Sequence, residues 1–292
     1  MNKKQDELIQ KSCNIITSSG EKKPLFRIER SLVKRYRKNI WNKFMKSIRE
    51  YELIQDGDRI AVAISGGKDS LLMAKLFQEL QGHGNFNFEL EFIAMDPGYH
   101  PDIKELLVEN CKYLNIPIHI YESGIFEVAE RMAKDNPCYM CARMRRGALY
   151  GKTEELGCNK LALGHHFNDV IETILLNVLC SGNFKTMLPK LRAQNFDGIE
   201  LIRPLYYVEE EYISRFIRYS GIFPLNCACM VAAKEIGTKR QEIKELIEQL
   251  KGSIDNVDMS IFRSAQNVSI DRVLGWERDG EKHSFLEFYD ED

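Results

Sequence analysis

The chain has 292 residues, 41 Lys and Arg against 43 Asp and Glu, a formal net charge of −2, and 44% hydrophobic residues. That length suits one large domain or one domain with extensions, and the apolar content can fill a core, which excludes disorder along the whole chain. A membrane-spanning helix is excluded too, because runs such as Ile60–Ile64 and Ile174–Leu176 fall far short of about 20 apolar residues.

Residues 1–20 are polar and mixed, and read as a loose tail without the apolar stretch of a secretory signal. The expected location is therefore the cytoplasm, without membrane contact. From Lys22 to Arg49 eleven basic residues face a single acid, Glu29, a net of +10 that leaves −12 for the rest of the chain. Leu32, Tyr36, Ile40, Phe44 and Ile48 recur every fourth residue, the stripe of an amphipathic helix with a basic opposite face. Charge runs are commonly solvated faces. Interleaved with Phe26, Tyr36, Trp41 and Phe44, this one favours a nucleic-acid backbone.

Beyond residue 53 the pattern changes. Arg59–Ser65 reads as a short buried strand, Leu71–Leu80 as a helix and Phe88–Asp96 as a second strand. Pro101 stands where a helix begins, opening Asp102–Leu114, and Pro117–Tyr121 is a third strand. Ala142–Leu156 is helical, Lys160–Gly164 a fourth strand and Asp169–Leu179 helical. Glu200–Leu205 is a possible fifth strand, Glu209–Tyr219 a helix, and Thr238–Leu250 a last amphipathic helix. Strands alternating with helices predict an α/β fold, a Rossmann-like parallel sheet with helices on both faces. The expected organisation is a basic helical extension over 1–53, a catalytic domain over 54–236 and a helical tail over 237–292.

Ligands of such sheets bind beyond the carboxyl ends of the strands, where the segments after Ile64, Met95 and Leu163 fall. After the first strand comes Ser65-Gly66-Gly67-Lys68-Asp69-Ser70, opening a helix. Two glycines let backbone N–H groups approach an anion, the helix N-terminus adds positive potential, Lys68 adds charge, and Asp69 is a candidate Mg²⁺ ligand. The four-residue gap of a Walker A loop is missing. After the fourth strand comes Gly164-His165-His166-Phe167-Asn168-Asp169, with Glu172 and Thr173 following.

Eight cysteines in such a chain point first to metal or redox chemistry. Cys138 and Cys141 follow Pro137 at a helix start and precede Arg143, Arg145 and Arg146, surroundings that favour thiolates. Two readings stand at this point. Cys138, Cys141, Cys227 and Cys229 would make a four-thiolate zinc site, although the Cys-x-Cys pair is unusually tight. Alternatively Cys138, Cys141 and Cys227 would hold a 4Fe–4S cluster with one iron lacking a cysteine. Cys111 and Cys180 lie in apolar helical contexts and are expected to pack.

SGGKDS after a buried strand resembles the PP-loop of ATP-pyrophosphatases, and GHHFNDVIET resembles that superfamily's second signature. With CxxC before arginines, Ile202-Arg203-Pro204-Leu205, the late Cys227 and the Phe262–Val268 run, all in order over roughly residues 35–275, the chain resembles the tRNA 2-thiocytidine synthetase family. It departs from the family pattern in Cys229, which stands two residues after Cys227 rather than three, in the following MVAAKEIGTKR, which lacks the usual Gly-Ser-x-Pro-Asn run, and in Phe167-Asn168 where Arg-Asp is common. The resemblance implies ATP cleaved to AMP and pyrophosphate, with Mg²⁺, to adenylate a cytidine C2 oxygen in tRNA before sulfur replaces it. It implies ATP contacts from Ser65, Gly66, Gly67, Lys68, Asp69, Ser70, Gly164, His165 and Asp169, and from Asp96 on the adenosine side. Lys68 and Asp69 would be catalytic, with Cys138, Cys141 and Cys227, which would also hold the 4Fe–4S cluster. Expected partners are tRNA, a cysteine desulfurase or other sulfide donor, and a second copy of the chain as a possible homodimer. The same chemistry on another tRNA nucleotide or a free base, and a non-catalytic zinc and RNA-binding module, are the alternatives. The module would leave SGGKDS without a task.

Overall fold

The computed structural model describes residues 21–84, 86–123, 137–225, 236–287 and 289. The predicted N-terminal tail, Cys227 and Cys229 lie outside the described residues. The chain divides into two compact units. One comprises the described residues of Met1–Val170 and Met187–Gln241, the other those of Ile171–Thr186 and Glu242–Asp292.

The first unit opens with α1 (Leu25–Val33), a π-helical turn over Arg37–Trp41, and α2 (Asn42–Glu50). Residues four apart on an α-helix advance by about 400°, so a stripe of strict four-spacing creeps sideways by about 40° per step. The wider π turn takes up that drift. The Ser31 carbonyl accepts the Tyr36 N–H at 2.8 Å and the Tyr36 carbonyl accepts the Trp41 N–H at 3.3 Å, both five residues apart. Leu32, Tyr36, Ile40, Phe44 and Ile48 are consequently all buried on one side. The opposite face is the basic one, where all eleven cations except the half-buried Lys23 and Lys43 are exposed.

The sheet then alternates strand and helix: β1 (Arg59–Ala63), α3 (Lys68–His83), β2 (Glu89–Asp96), α4 (Pro101–Tyr113), β3 (Ile118–Glu122), α5 (Pro137–Glu155), β4 (Lys160–Ala162) and α6 (Phe167–Ser181). It closes with β5 (Lys190–Arg192), β6 (Glu200–Ile202) and α7 (Glu210–Ser220). Strand order is β3-β2-β1-β4-β6-β5, parallel throughout except for β5 at one edge. Side chains alternate as the two-residue period demands. Ile60, Val62, Phe92, Ala94, Ala162 and Ile202 face the core beneath α1–α4 and α7. Ala61, Ile93, Leu161 and Leu201 face the other, smaller core, which includes Tyr150 of α5. The α/β expectation holds, with helices on both faces. Because β2 and β4 flank β1 on opposite sides, the connections leaving β1 and β4 diverge and open a crevice at their carboxyl ends.

The last described elements are α8 (Ile236–Lys251), α9 (Val257–Ser264) and the hairpin β7 (Gly275–Arg278) with β8 (Glu281–Ser284). No described helix is long and apolar enough to cross a membrane. One packing expectation is corrected. Cys111 is buried, but Cys180 is exposed, because burial along α6 stops at Ile174 and its last turn faces outward.

Phe44 is fully buried, with its ring edge-on to Phe77 of α3 at 5.8 Å. Replacing it with Ala should therefore cost about 3–5 kcal/mol in chemical denaturation. A loss below about 1 kcal/mol would separate the N-terminal helices from the cooperative core.

Candidate active site at the carboxyl ends of β1 and β4

After β1 the chain turns through Ser65, Gly66 and Gly67 into α3, whose first residue is Lys68. Gly66 has φ +79°. That conformation favours glycine, and a Cβ there would also lie 2.5 Å from Leu225 Cδ1 and 3.0 Å from Leu107 Cδ1, so these side chains would have to shift. The buried Ser70 hydroxyl donates to the Gly67 carbonyl at 3.0 Å and accepts the Ser65 N–H at 3.2 Å. Ser65 Oγ in turn accepts the Gly67 N–H at 3.3 Å. The two serines thus shape the loop from inside, while the helix N-terminus supplies positive potential beside it.

Lys68 Nζ lies 3.1 Å from Asp69 Oδ2 and 3.2 Å from Glu210 Oε1. Burial opposes its charge, but the two carboxylates outweigh it and raise its pKa. Lys68 therefore remains cationic at neutral pH.

The loop after β4 closes directly onto this helix. A Cβ on Gly164 would sit 3.2 Å from the Ser70 nitrogen and 3.3 Å from the Asp69 carbonyl carbon, backbone atoms that cannot swing aside. His166 Nε2 lies 3.7 Å from Asp69 Oδ1. Asp169 Oδ2 accepts the His166 N–H at 2.9 Å, and Asp169 Oδ1 accepts from Arg240 Nη2 of α8 at 2.9 Å. Burial would raise the Asp169 pKa, but His166, Arg240 and His165 hold it below the usual carboxylate range. His165 is pulled down to about 4, first by burial and then by Arg203, Arg240 and His166, with Asp169 opposing. It is therefore neutral at pH 7. Arg203 is drawn down to about 10 by burial and by the like charge of Arg146, and its Nη1 donates to the Leu188 carbonyl.

Several buried polar atoms around the crevice carry no hydrogen bond: Asp69 Oδ1, His165 Nδ1, His166 Nδ1 and Arg203 Nε. Buried groups of this kind ordinarily find a partner, and here they offer acceptors and donors to a ligand. The structure thus brings together Ser65–Ser70, Gly164, His165 and Asp169. Sequence reasoning missed Glu210 and Arg240 as their partners. Neither lies in a motif, so only the fold could assign them.

Asp96 is placed differently. Its carboxylate accepts the Gly98 and Tyr99 N–H groups at 2.9 and 2.7 Å and pairs with Lys104 at 3.2 Å, closing the loop after β2. Although burial opposes it, these donors lower its pKa. The family departures also have local tasks. Asn168 Oδ1 accepts the Glu210 N–H at 2.9 Å, and the Phe167 side chain is buried. Cys138 and Cys141 lie one turn apart in the first turn of α5. Leu225, two residues before Cys227 in sequence, donates its N–H to the Gly66 carbonyl at 2.9 Å.

Residues 27–223 match the PP-loop domain family. The tRNA-cytidine(32) 2-sulfurtransferase of Pelobacter propionicus is 36% identical over 237 residues, 80% of this chain and 87% of that protein. That of Citrifermentans bemidjiense is 37% identical over 232 residues, 78% of this chain and 90% of the relative. The chain belongs to the tRNA-cytidine(32) 2-sulfurtransferase family of PP-loop enzymes. Among solved structures, the U34-tRNA thiolase NcsA of Methanococcus maripaludis, solved with its 4Fe–4S cluster, shares the fold at a TM-score of 0.61 and 23% identity. That match covers 77% of this chain and 76% of NcsA. The domain is of the ATP-pyrophosphatase type, as the ordered motifs imply.

In this family member the buried neutral His165 makes stability pH-dependent. Its folded pKa of about 4 lies below the ordinary histidine value, so the unfolded chain binds the proton more tightly. Its contribution is fully present above about pH 6.5 and is lost as pH falls toward 4, by at most about 3 kcal/mol. Denaturant midpoints measured across that window should fall for the parent and flatten for His165→Gln.

Proposed function

We propose that this enzyme thiolates tRNA at the C2 position of a cytidine, with ATP supplying the activation. The observation that carries the reading is the contact of the two signature loops at Gly164, which gathers Lys68, Asp69, His165 and Asp169 around one crevice. A carbonyl oxygen is a poor leaving group. Attack of the C2 oxygen on the α-phosphorus of ATP releases pyrophosphate and turns that oxygen into part of AMP, which leaves readily. The Ser65–Ser70 loop and the α3 N-terminus would hold the departing phosphates, with the Lys68 cation beside them. Asp69, whose buried Oδ1 has no hydrogen bond, is the candidate ligand for the Mg²⁺ that accompanies ATP. His165, neutral and with an unpartnered Nδ1, can accept or donate one hydrogen bond to the bound nucleotide without adding charge. The loop held by Asp96 would border the adenosine.

Sulfide then adds at C2 and AMP departs, a substitution that needs no net oxidation. The donor set fits an iron–sulfur group: two cysteines three residues apart at the start of α5, followed in sequence by three arginines, a pattern that favours thiolates. A 4Fe–4S cluster held by Cys138, Cys141 and Cys227 would leave one iron without a cysteine, a place to carry the incoming sulfur. The exposed basic face of residues 22–49 supports RNA as the substrate, since a free base has no phosphate backbone to attract.

Mass spectrometry of tRNA nucleosides from a deletion strain tests the reading. 2-Thiocytidine should vanish, return with the parent chain, and stay absent with Asp69→Ala; its persistence in the deletion strain would overturn the assignment. In vitro, Asp69→Ala and Lys68→Ala should lower RNA-dependent pyrophosphate release by roughly 100-fold or more while iron content stays at the parent level. Normal release in both would remove the loop from the chemistry. Cys138→Ala, Cys141→Ala and Cys227→Ala should each lose iron and thiolation, and Cys229→Ala should keep both. Loss of iron in Cys229→Ala would replace the three-thiolate site with a four-thiolate one.

A further inference from the structure

Away from the ATP crevice, the π turn and α7 enclose an open cleft of about 410 Å³, within the roughly 300–1,000 Å³ common for small-ligand sites. Arg35, Tyr36 and Asn39 line it from the π-turn side, and Tyr212, Arg215, Arg218 and Tyr219 from α7. The walls are tied together, because the Tyr36 hydroxyl donates to the Arg215 carbonyl at 3.1 Å.

The cleft combines positive charge with flat surfaces. The Arg35 guanidinium lies 4.8 Å from the centre of the Tyr219 ring, and that of Arg215 lies 5.5 Å from Tyr212. Glu211 pairs with Arg215, but among the described residues no carboxylate pairs with Arg35 or Arg218. Both arginines are exposed, so their charge is available. The same wall continues into Lys34, Arg37 and Lys38, all exposed. A simple anion would be served by the arginines alone. Tyrosine and guanidinium planes are instead the platforms on which unpaired nucleobases stack, and Asn39 adds an amide that can meet a base edge.

We propose that this cleft is a nucleotide subsite that receives one unpaired residue of the RNA substrate, its base on the tyrosine–arginine platforms and its phosphate on Arg35 and Arg218. The inference rests on the tRNA reading above and extends it. Its position suits that role. Glu210, the first residue of α7, pairs with Lys68, and Arg218 follows eight residues later, about 12 Å along the same helix. One rigid element therefore carries both the partner of the ATP loop and the proposed RNA contact.

The test uses the full chain and a fluorescein-labelled hexauridylate, with an abasic ribose-phosphate hexamer as the control, in anisotropy titrations at several salt concentrations. Arg35→Gln with Arg218→Gln should weaken both oligomers and reduce the slope of log affinity against log salt by about 1.4, two single-strand contacts. Tyr212→Leu should weaken hexauridylate roughly 5- to 100-fold with an unchanged slope, and leave the abasic oligomer at parent affinity. Thermal melting identifies variants that fail to fold, and for any of these Tyr212→Phe, which keeps the ring, should bind as the parent does. Parent-like hexauridylate affinity in folded variants of both kinds would overturn the subsite. Equal weakening of the abasic oligomer by Tyr212→Leu would reduce it to an anion site and overturn the base contact. If the parent chain binds tRNA while the variants bind as tightly, this inference alone fails. If the parent binds neither tRNA nor oligomer, and the deletion strain keeps 2-thiocytidine, the tRNA reading itself fails.

Discussion

The site depends on one close approach: Gly164, at the end of β4, set against the backbone of Asp69 and Ser70 at the start of α3. A parallel sheet alone brings the ends of β1 and β4 side by side, but not their loops into contact. That approach favours a residue without a Cβ, since a Cβ would stand only 3.2–3.3 Å from backbone atoms and force them to give by a few tenths of an ångström. With it, His166 comes near Asp69, Asp169 is drawn between His166 and Arg240, and Lys68, Asp69, His165, His166 and Asp169 share one crevice. Low local dielectric then makes each charge depend strongly on its neighbours. Burial opposes both charges, but Asp69 and Glu210 keep Lys68 cationic, whereas burial with Arg203 and Arg240 nearby keeps His165 neutral.

Much of this was legible in the sequence, and for identifiable reasons. β1, β2, α3 and α4 carry strong apolar runs or a proline at the helix start, and appear close to their expected places. Ser65–Ser70 and Gly164–Asp169 were legible as chemistry because a plain turn rarely needs all those residue types together. The partners supplied by distant helices were not. Glu210 and Arg240 sit in unremarkable polar surroundings and acquire meaning only when α7 and α8 deliver them to Lys68 and Asp169. β5 was missed because three residues are too few to show a period. The hairpin β7–β8 was missed although Asp279 and Gly280, both with positive φ, form the Asp-Gly pair such turns favour. A reading guided by apolar periodicity passes over so polar a ribbon.

The N-terminal helices show how a segment can serve the core and the surface at once. Glu29, the sole acid among eleven cations, does not neutralise its exposed neighbours. Its carboxylate accepts from the buried Lys75 ammonium at 2.7 Å, and Lys75 also reaches Gln78 and the Leu114 carbonyl. The acid thus ties α1 to α3 and to the end of α4. The exposed basic face is left almost unopposed, with Lys43 and Lys46 pairing with Glu209 and Glu50 at its far end. The π turn between α1 and α2 performs the complementary task, letting a stripe of four-residue spacing stay on the core without rotating the cations inward.

The antiparallel edge strand of the six-stranded sheet has a consequence for the protein among its own copies. An open sheet ends in a row of unsatisfied backbone donors and acceptors, a template on which another chain can grow. One of its two margins here, the other being β3, is β5, three residues long, with Lys190 and Arg192 flanking Leu191. Two such margins brought together would set like charges opposite one another along a strand too short to recoup the repulsion. The strand that terminates the sheet on that side is thus built against edge-to-edge pairing.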